Sequence, residues 1–109
     1  MVRNELYPIF LKAHQINVLL VGGGNVGLEK LTFLLKSSPN ASVEVVAPSF
    51  LPELEELVAK HASVKLTKAK FKKKMLKKRH LVIACTDDLK VNKRIHDLSR
   101  KRYLICNIA

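Results

Sequence analysis

Short apolar runs alternate with longer amphipathic stretches along this chain. "NVLLV" (17–21) is apolar and rich in β-branched residues, and a glycine turn follows it at once. "VGLEKLTFLLK" then sets Val26, Leu31, Leu34 and Leu35 near helical spacing, and the spacing predicts a helix that "SSPN" and Pro39 bring to an end. "SVEVVA" (42–47) reads as a second strand, stopped by Pro48. "FLPELEELVAKH" (50–61) reads as a helix, with Pro52 in its first turn and Glu53, Glu55 and Glu56 near the positive end of its dipole. "SVKLT" (63–67) is a shorter third strand, and "KFKKKMLKKR" (70–79) a weak, highly charged helix. "HLVIAC" (80–85) is a fourth strand. "DDLKVNKRIHDLSRKR" carries Leu89, Val91, Ile95 and Leu98 at spacing compatible with a helix that starts beside Asp88. "YLICNIA" (103–109) is a fifth strand.

This β-α-β-α-β-(α)-β-α-β order indicates parallel βαβ units. Strands 1, 2, 4 and 5 are mostly apolar, as expected where helices cover both faces of a sheet. Right-handed crossovers then give an α/β, Rossmann-like doubly wound parallel sheet of five strands in the order 3-2-1-4-5, with its switch point between strands 1 and 4.

Composition narrows the classes. With 109 residues the chain makes one domain, and its 48% hydrophobic content is enough for a core. No apolar run approaches the roughly 20 residues that span a bilayer. "MVRNELYPIF" lacks the basic start and long apolar run of a signal peptide, so a cytoplasmic location without a membrane partner is expected. Cys85 and Cys106 lie inside apolar runs and read as buried, reduced thiols. No Cys/His cluster suggests a metal site, and the scattered His14, His61, His80 and His96 indicate no catalytic histidine.

Charge is the unusual property. Of the net +11, residues 1–64 contribute −1 and residues 65–109 contribute +12. Nine basic residues fall between Lys65 and Arg79. The tract is either a solvated face or a means of attracting an anionic partner. Nucleic acid is not the expected partner, because the tract holds one aromatic residue, Phe71, and no stacking pattern.

The glycine turn "VGGGNVG" (21–27) stands after the first strand and opens the first helix, the context that makes it a dinucleotide fingerprint. Gly22 permits the tight turn. Gly24 lets a pyrophosphate approach the backbone, the free N–H groups around Asn25 and Val26 face its phosphates, and Gly27 lets the helix pack closely on the sheet. The Asp or Glu that usually reads the adenosine ribose at the end of strand 2 is missing. "VVAPSF" puts Pro48 and Ser49 there and leaves NAD and NADP both open, while Glu44 lies too early. Thr86, Asp87 and Asp88 follow strand 4 at the carboxyl edge, where such sheets bind ligands. The two aspartates are either a helix cap or neighbours of the reacting ring.

"YPIFLKAHQINVLLVGGGNVGLEKLTFLL", "VEVVAPSF", "HLVIACTDDLKVNKRI" and "ICNIA" together resemble the N-terminal domain of siroheme synthases, across essentially the whole chain. This is the family of precorrin-2 dehydrogenases, some of them also sirohydrochlorin ferrochelatases of porphyrin biosynthesis. The resemblance implies an oxidoreductase that converts precorrin-2 to sirohydrochlorin with NAD. It implies cofactor contacts at Gly22, Gly23, Gly24, Asn25, Val26, Gly27, Pro48, Ser49, Thr86, Asp87 and Asn107. The lysine tract would then attract the polycarboxylate substrate. The family's catalytic aspartate would follow Ala109, as would its dimerisation segment and the rest of the substrate cleft. The expectation is therefore a cofactor-binding domain over 1–109, inactive alone, from an enzyme that is homodimeric at full length. A reading from another class is a nucleotide-sensing regulatory module whose basic half docks a partner or nucleic acid.

Overall fold

The computed structural model describes Tyr7 and residues 9–109. Pro8, part of the first family-like stretch, and residues 1–6, on which the signal-peptide reading bears, lie outside the described residues. After a short 3-10 turn at Ala13–Gln15, the elements are β1 (Asn17–Val21), α1 (Asn25–Ser37), β2 (Ser42–Ala47), α2 (Pro52–Ala59), β3 (Val64–Lys68), a second 3-10 turn (Lys73–Leu76), β4 (Leu81–Ala84), α3 (Leu89–Lys101) and β5 (Ile105–Ile108). All strand pairs are parallel, in the order β3-β2-β1-β4-β5. This is the Rossmann-like α/β architecture expected from the sequence.

Strand alternation sends the core to both faces. Val18, Leu20, Val43 and Val45 meet Leu31 and Leu35 of α1 and Leu54 of α2. Leu19, Val21, Val46 and Val82 point the other way, toward Ile95 of α3 and Leu76 of the β3–β4 crossover. The central strand β1 has Val18, Leu19 and Leu20 fully buried, which explains its unbroken apolar run.

The structure shortens several elements. Residues 70–79 form one 3-10 turn rather than a helix. Consecutive lysines repel at helical spacing, no carboxylate in the segment offsets them, and Leu76 is its one fully buried side chain. The helix expected over 50–61 spans Pro52–Ala59, because Leu51, preceding a proline, is held extended (φ −61°, ψ 143°). The strand expected over 103–109 begins only at Ile105, since Tyr103 turns the chain with a left-handed φ of 56°. β5 is not covered on both faces: it is an edge strand, and Ile105 and Ile108 remain 45% and 46% exposed. Leu89 and Val26, assigned to helix core faces by spacing, stand exposed in first turns.

Candidate functional site

The carboxyl ends of β1, β2, β3 and β4 surround an open cleft of about 930 Å³. Its floor is the glycine turn. Gly22 takes φ +146°, a conformation open to glycine, and donates its N–H to the Val46 carbonyl at 2.9 Å. A Cβ there would stand 2.5 Å from the Cys85 carbonyl oxygen. A Cβ at Gly23 would meet the Ser49 carbonyl, and the Gly23 carbonyl accepts from Leu51 N–H at 2.9 Å, so turn and β2–α2 loop are locked together. Gly24 differs, because nothing lies within 4 Å of where its Cβ would be. Gly27 sits behind the cleft against the Gly22 carbonyl, where a Cβ would approach to 2.5 Å. It acts through helix packing and does not line the cleft.

Helix α1 starts at this floor with Gly24 as N-cap and no side chain capping it. The first-turn N–H groups at Asn25 and Val26 therefore face the cleft without an intrahelical acceptor, an arrangement suited to an anion.

The opposite wall is the loop after β4. Thr86 Oγ1 donates to Asn92 Oδ1 at 2.7 Å, Thr86 N–H donates to the same oxygen at 3.1 Å, and Asn92 Nδ2 returns a bond to the Thr86 carbonyl at 3.0 Å. Asn92 is buried, so this knot fixes the loop from below. Asp88 Oδ1 accepts from Lys90 and Val91 N–H at 2.9 and 3.4 Å and caps α3. The two aspartates thus separate in role, with Asp88 as the cap and the exposed Asp87 left to face the cleft.

Of the residues expected at the site, Gly22, Gly23, Gly24, Asn25, Val26, Pro48, Ser49, Thr86 and Asp87 converge on the cleft. Asn107 does not join them. It pairs with Ile83 on β5 and is exposed beyond the cleft's lining. Sequence reasoning passed over Phe50, Lys70, Phe71, Cys85, Val91 and Arg94, all of which line it. Lys70 and Phe71 follow β3, and the rule that ligands sit at strand carboxyl ends pointed to them. Val91 and Arg94 share one face of α3 at helical spacing. The Arg94 guanidinium lies over the Phe71 ring, 5.6 Å from its centroid.

Two ionisable groups near the cleft are structural. Burial pushes the Cys85 thiol up to about 11, against an opposing pull from Lys30, so it stays protonated and donates to the Val21 carbonyl. Glu44 faces away, pairing with Arg79 and accepting from Thr67. Burial alone would raise its carboxyl, but the Thr67 and Arg79 hydrogen bonds and the charges of Arg79 and Lys65 together hold it below 4.5. Among the described residues no group of three or more His, Cys, Asp or Glu is placed to hold a metal ion. No helix among them is long and apolar enough to cross a membrane.

With that geometry in place, the comparisons are direct. A family model described as "Putative NAD(P)-binding" matches residues 9–109. The chain belongs to this NAD(P)-binding family. It is 40% identical over 105 residues to the siroheme synthase of Pseudoalteromonas translucida, and 36% identical over 105 residues to that of Chromobacterium violaceum. Each alignment covers 96% of this chain and 22% of the relative, so the chain spans about a fifth of those proteins' length. Among solved structures, SirC, a precorrin-2 dehydrogenase, superposes with a TM-score of 0.81 at 27% identity, over 95% of this chain and 49% of SirC. Within this NAD(P)-binding family, the uncapped helix start and the open space at Gly24 are features that fit a dinucleotide's pyrophosphate.

Proposed function

We propose that this chain is the cofactor-binding domain of a precorrin-2 dehydrogenase, serving the oxidation of precorrin-2 to sirohydrochlorin in siroheme formation. The observation that carries the reading is the convergence of the glycine turn, the Pro48–Ser49 loop and the Thr86–Asp87 loop on one cleft, in a fold that overlays a precorrin-2 dehydrogenase. NAD, when bound, would supply the hydride acceptor for this oxidation. The chain's part is binding and orientation. Asn25 and Val26 N–H groups hold the pyrophosphate, with Gly24 leaving room for it. Pro48 and Ser49 flank the adenosine. Thr86, tied down by Asn92, and Asp87 would hold the cofactor from the wall opposite the glycine turn. Precorrin-2 as substrate, a homodimeric assembly and a cytoplasmic location belong to the same proposal.

The lysine tract belongs to the same proposal, as a positive face that attracts the polycarboxylate substrate through its long-range field. Of its nine basic residues, Lys70 alone lines the cleft, and Arg79 is paired with Glu44. The relatives named above bear enzyme names, which leaves a nucleotide-sensing module without a supporting observation.

Titration with NAD, followed by amide chemical shifts, tests the reading. Gly22–Gly27 and Thr86–Asp87 are expected to shift as one saturable event. Silence at these amides up to millimolar NAD overturns it.

A further inference from the structure

We propose that Asn92 is a positioning residue for the cofactor, acting through the Thr86 backbone to hold Asp87 toward the cleft. The inference rests on the dinucleotide reading above and adds to it a residue that does not itself line the cleft.

Position 92 is an unusual place for an amide. Asn92, Ile95 and Ser99 are the buried residues of α3, and Asn92 is only 2% exposed. Asparagine is a poor helix former and is costly to bury, so an apolar side chain would serve helix packing better. A buried amide needs partners, and here one residue supplies them. Asn92 Oδ1 accepts from Thr86 N–H and Oγ1, and Asn92 Nδ2 donates to the Thr86 carbonyl. The side-chain amide thus stands in for a peptide group. It pairs both main-chain groups of Thr86 two residues after Ala84, the last residue of β4. Its own backbone is fixed in the first turn of α3, where Asn92 N–H donates to the Asp88 carbonyl at 3.1 Å.

The Thr86 hydroxyl is consumed by the same knot. Its one hydrogen goes to Asn92 Oδ1 at 2.7 Å, with the Asp88 carbonyl at 3.0 Å as the alternative, and its oxygen accepts from Asp88 N–H at 3.2 Å. That leaves Asp87 as the side chain of this loop that is free to meet a ligand. It is exposed and lines the cleft. It also stands between two anchored residues, Thr86 held by Asn92 and Asp88 held by its cap bonds. Without the amide, the Thr86 N–H and carbonyl lose their partners and turn toward water, and Asp87 turns with them.

The test is NAD titration of folded variants, followed by amide chemical shifts. Asn92→Leu is neutral and close in volume, and is expected to weaken NAD about tenfold, the order of one lost hydrogen bond. Gly22–Gly27 should still respond to NAD in this variant while Thr86 and Asp87 fall silent. A double-substitution cycle then separates positioning from general loosening. Asp87→Ala should change NAD affinity about threefold in the parent and have no effect beside Asn92→Leu. If Asn92→Leu does not fold, Thr86→Val carries the same cycle, because it keeps the shape and removes only the hydroxyl; it should bind about threefold weaker, and Thr86→Ser should restore the affinity. Additive effects in the cycle overturn the proposal, as does a parent indifferent to Asp87→Ala or a variant whose Thr86 and Asp87 amides respond as in the parent. Failure of the parent chain to bind NAD overturns the cofactor reading itself, and the role of Asn92 falls with it.

Discussion

At the scale of single residues, the glycines of the turn divide into two kinds, which the string "GGG" conceals. Gly22 combines a φ of +146° with a close backbone neighbour, the Cys85 carbonyl just after β4. Gly24 has an ordinary φ and open space around it. Gly22→Ala is therefore expected to cost about 3 kcal/mol of stability, from backbone strain plus overpacking. Gly24→Ala should leave the urea midpoint almost unchanged and yet weaken dinucleotide binding at least tenfold, because its methyl enters the space the pyrophosphate needs. Urea unfolding and NAD titration of the two variants check this pair. A Gly24→Ala protein that binds NAD normally would remove the phosphate from that position. The same contrast separates Asp88 from Asp87, where one aspartate is consumed by a helix cap and the other is free. Adjacent identical letters carry different chemistry because the backbone turns between them.

At the scale of elements, the crossover from β3 to β4 is held by few contacts, and one is ionic. Leu76 supplies its buried apolar anchor, while Arg79 closes the segment onto Glu44 of β2. The partly buried pair, both side chains 18% exposed, lies between a surface bridge and a buried one, and Glu44→Gln is expected to cost about 1–2 kcal/mol at neutral pH. Since folding lowers the Glu44 pKa, the pair's contribution is present in full above the ordinary carboxylate value of 4.5 and is lost as pH falls through the folded value. The stability gap between parent and Glu44→Gln should thus close in acid below 4.5, as urea midpoints at stepped pH would show. A gap that persists there would assign the loss to packing. This element was also the least legible in the sequence. Strands β1, β2 and β4 announced themselves as apolar runs ended by glycine, proline or a polar turn. A lysine tract with a few apolar residues has no such boundary, and its shape depends on Glu44, 35 positions earlier. The same limit hid the Arg94–Phe71 stack, which joins α3 to the crossover across the cleft. Local pattern located the glycine turn; contacts between distant segments built the rest of the cleft's lining.

At the scale of the molecule, the fold sorts charge by layer. The chain's second half supplies β3, the crossover and α3, so the excess of +12 carried by residues 65–109 gathers along the β3 edge and on one side of the sheet. Glu53, Glu55 and Glu56 stand on α2, in the other layer. Such a layer resists compaction, because folding brings its lysines and arginines nearer to one another than they are in the unfolded chain. The attractive pairs opposing this are few: Arg79–Glu44 is shielded, whereas Lys93–Asp97 is largely exposed and worth little. Repulsion outweighs attraction, so screening should stabilise the fold. Raising sodium chloride from about 20 mM to about 500 mM shortens the Debye length from roughly 20 Å to under 5 Å. This change is expected to raise the melting temperature by about 5 °C, the shift that about 1 kcal/mol produces in a domain of this size. Differential scanning calorimetry across the salt series measures the effect. A melting temperature that falls with chloride would mean that ion pairs, rather than like-charge crowding, govern this half of the protein.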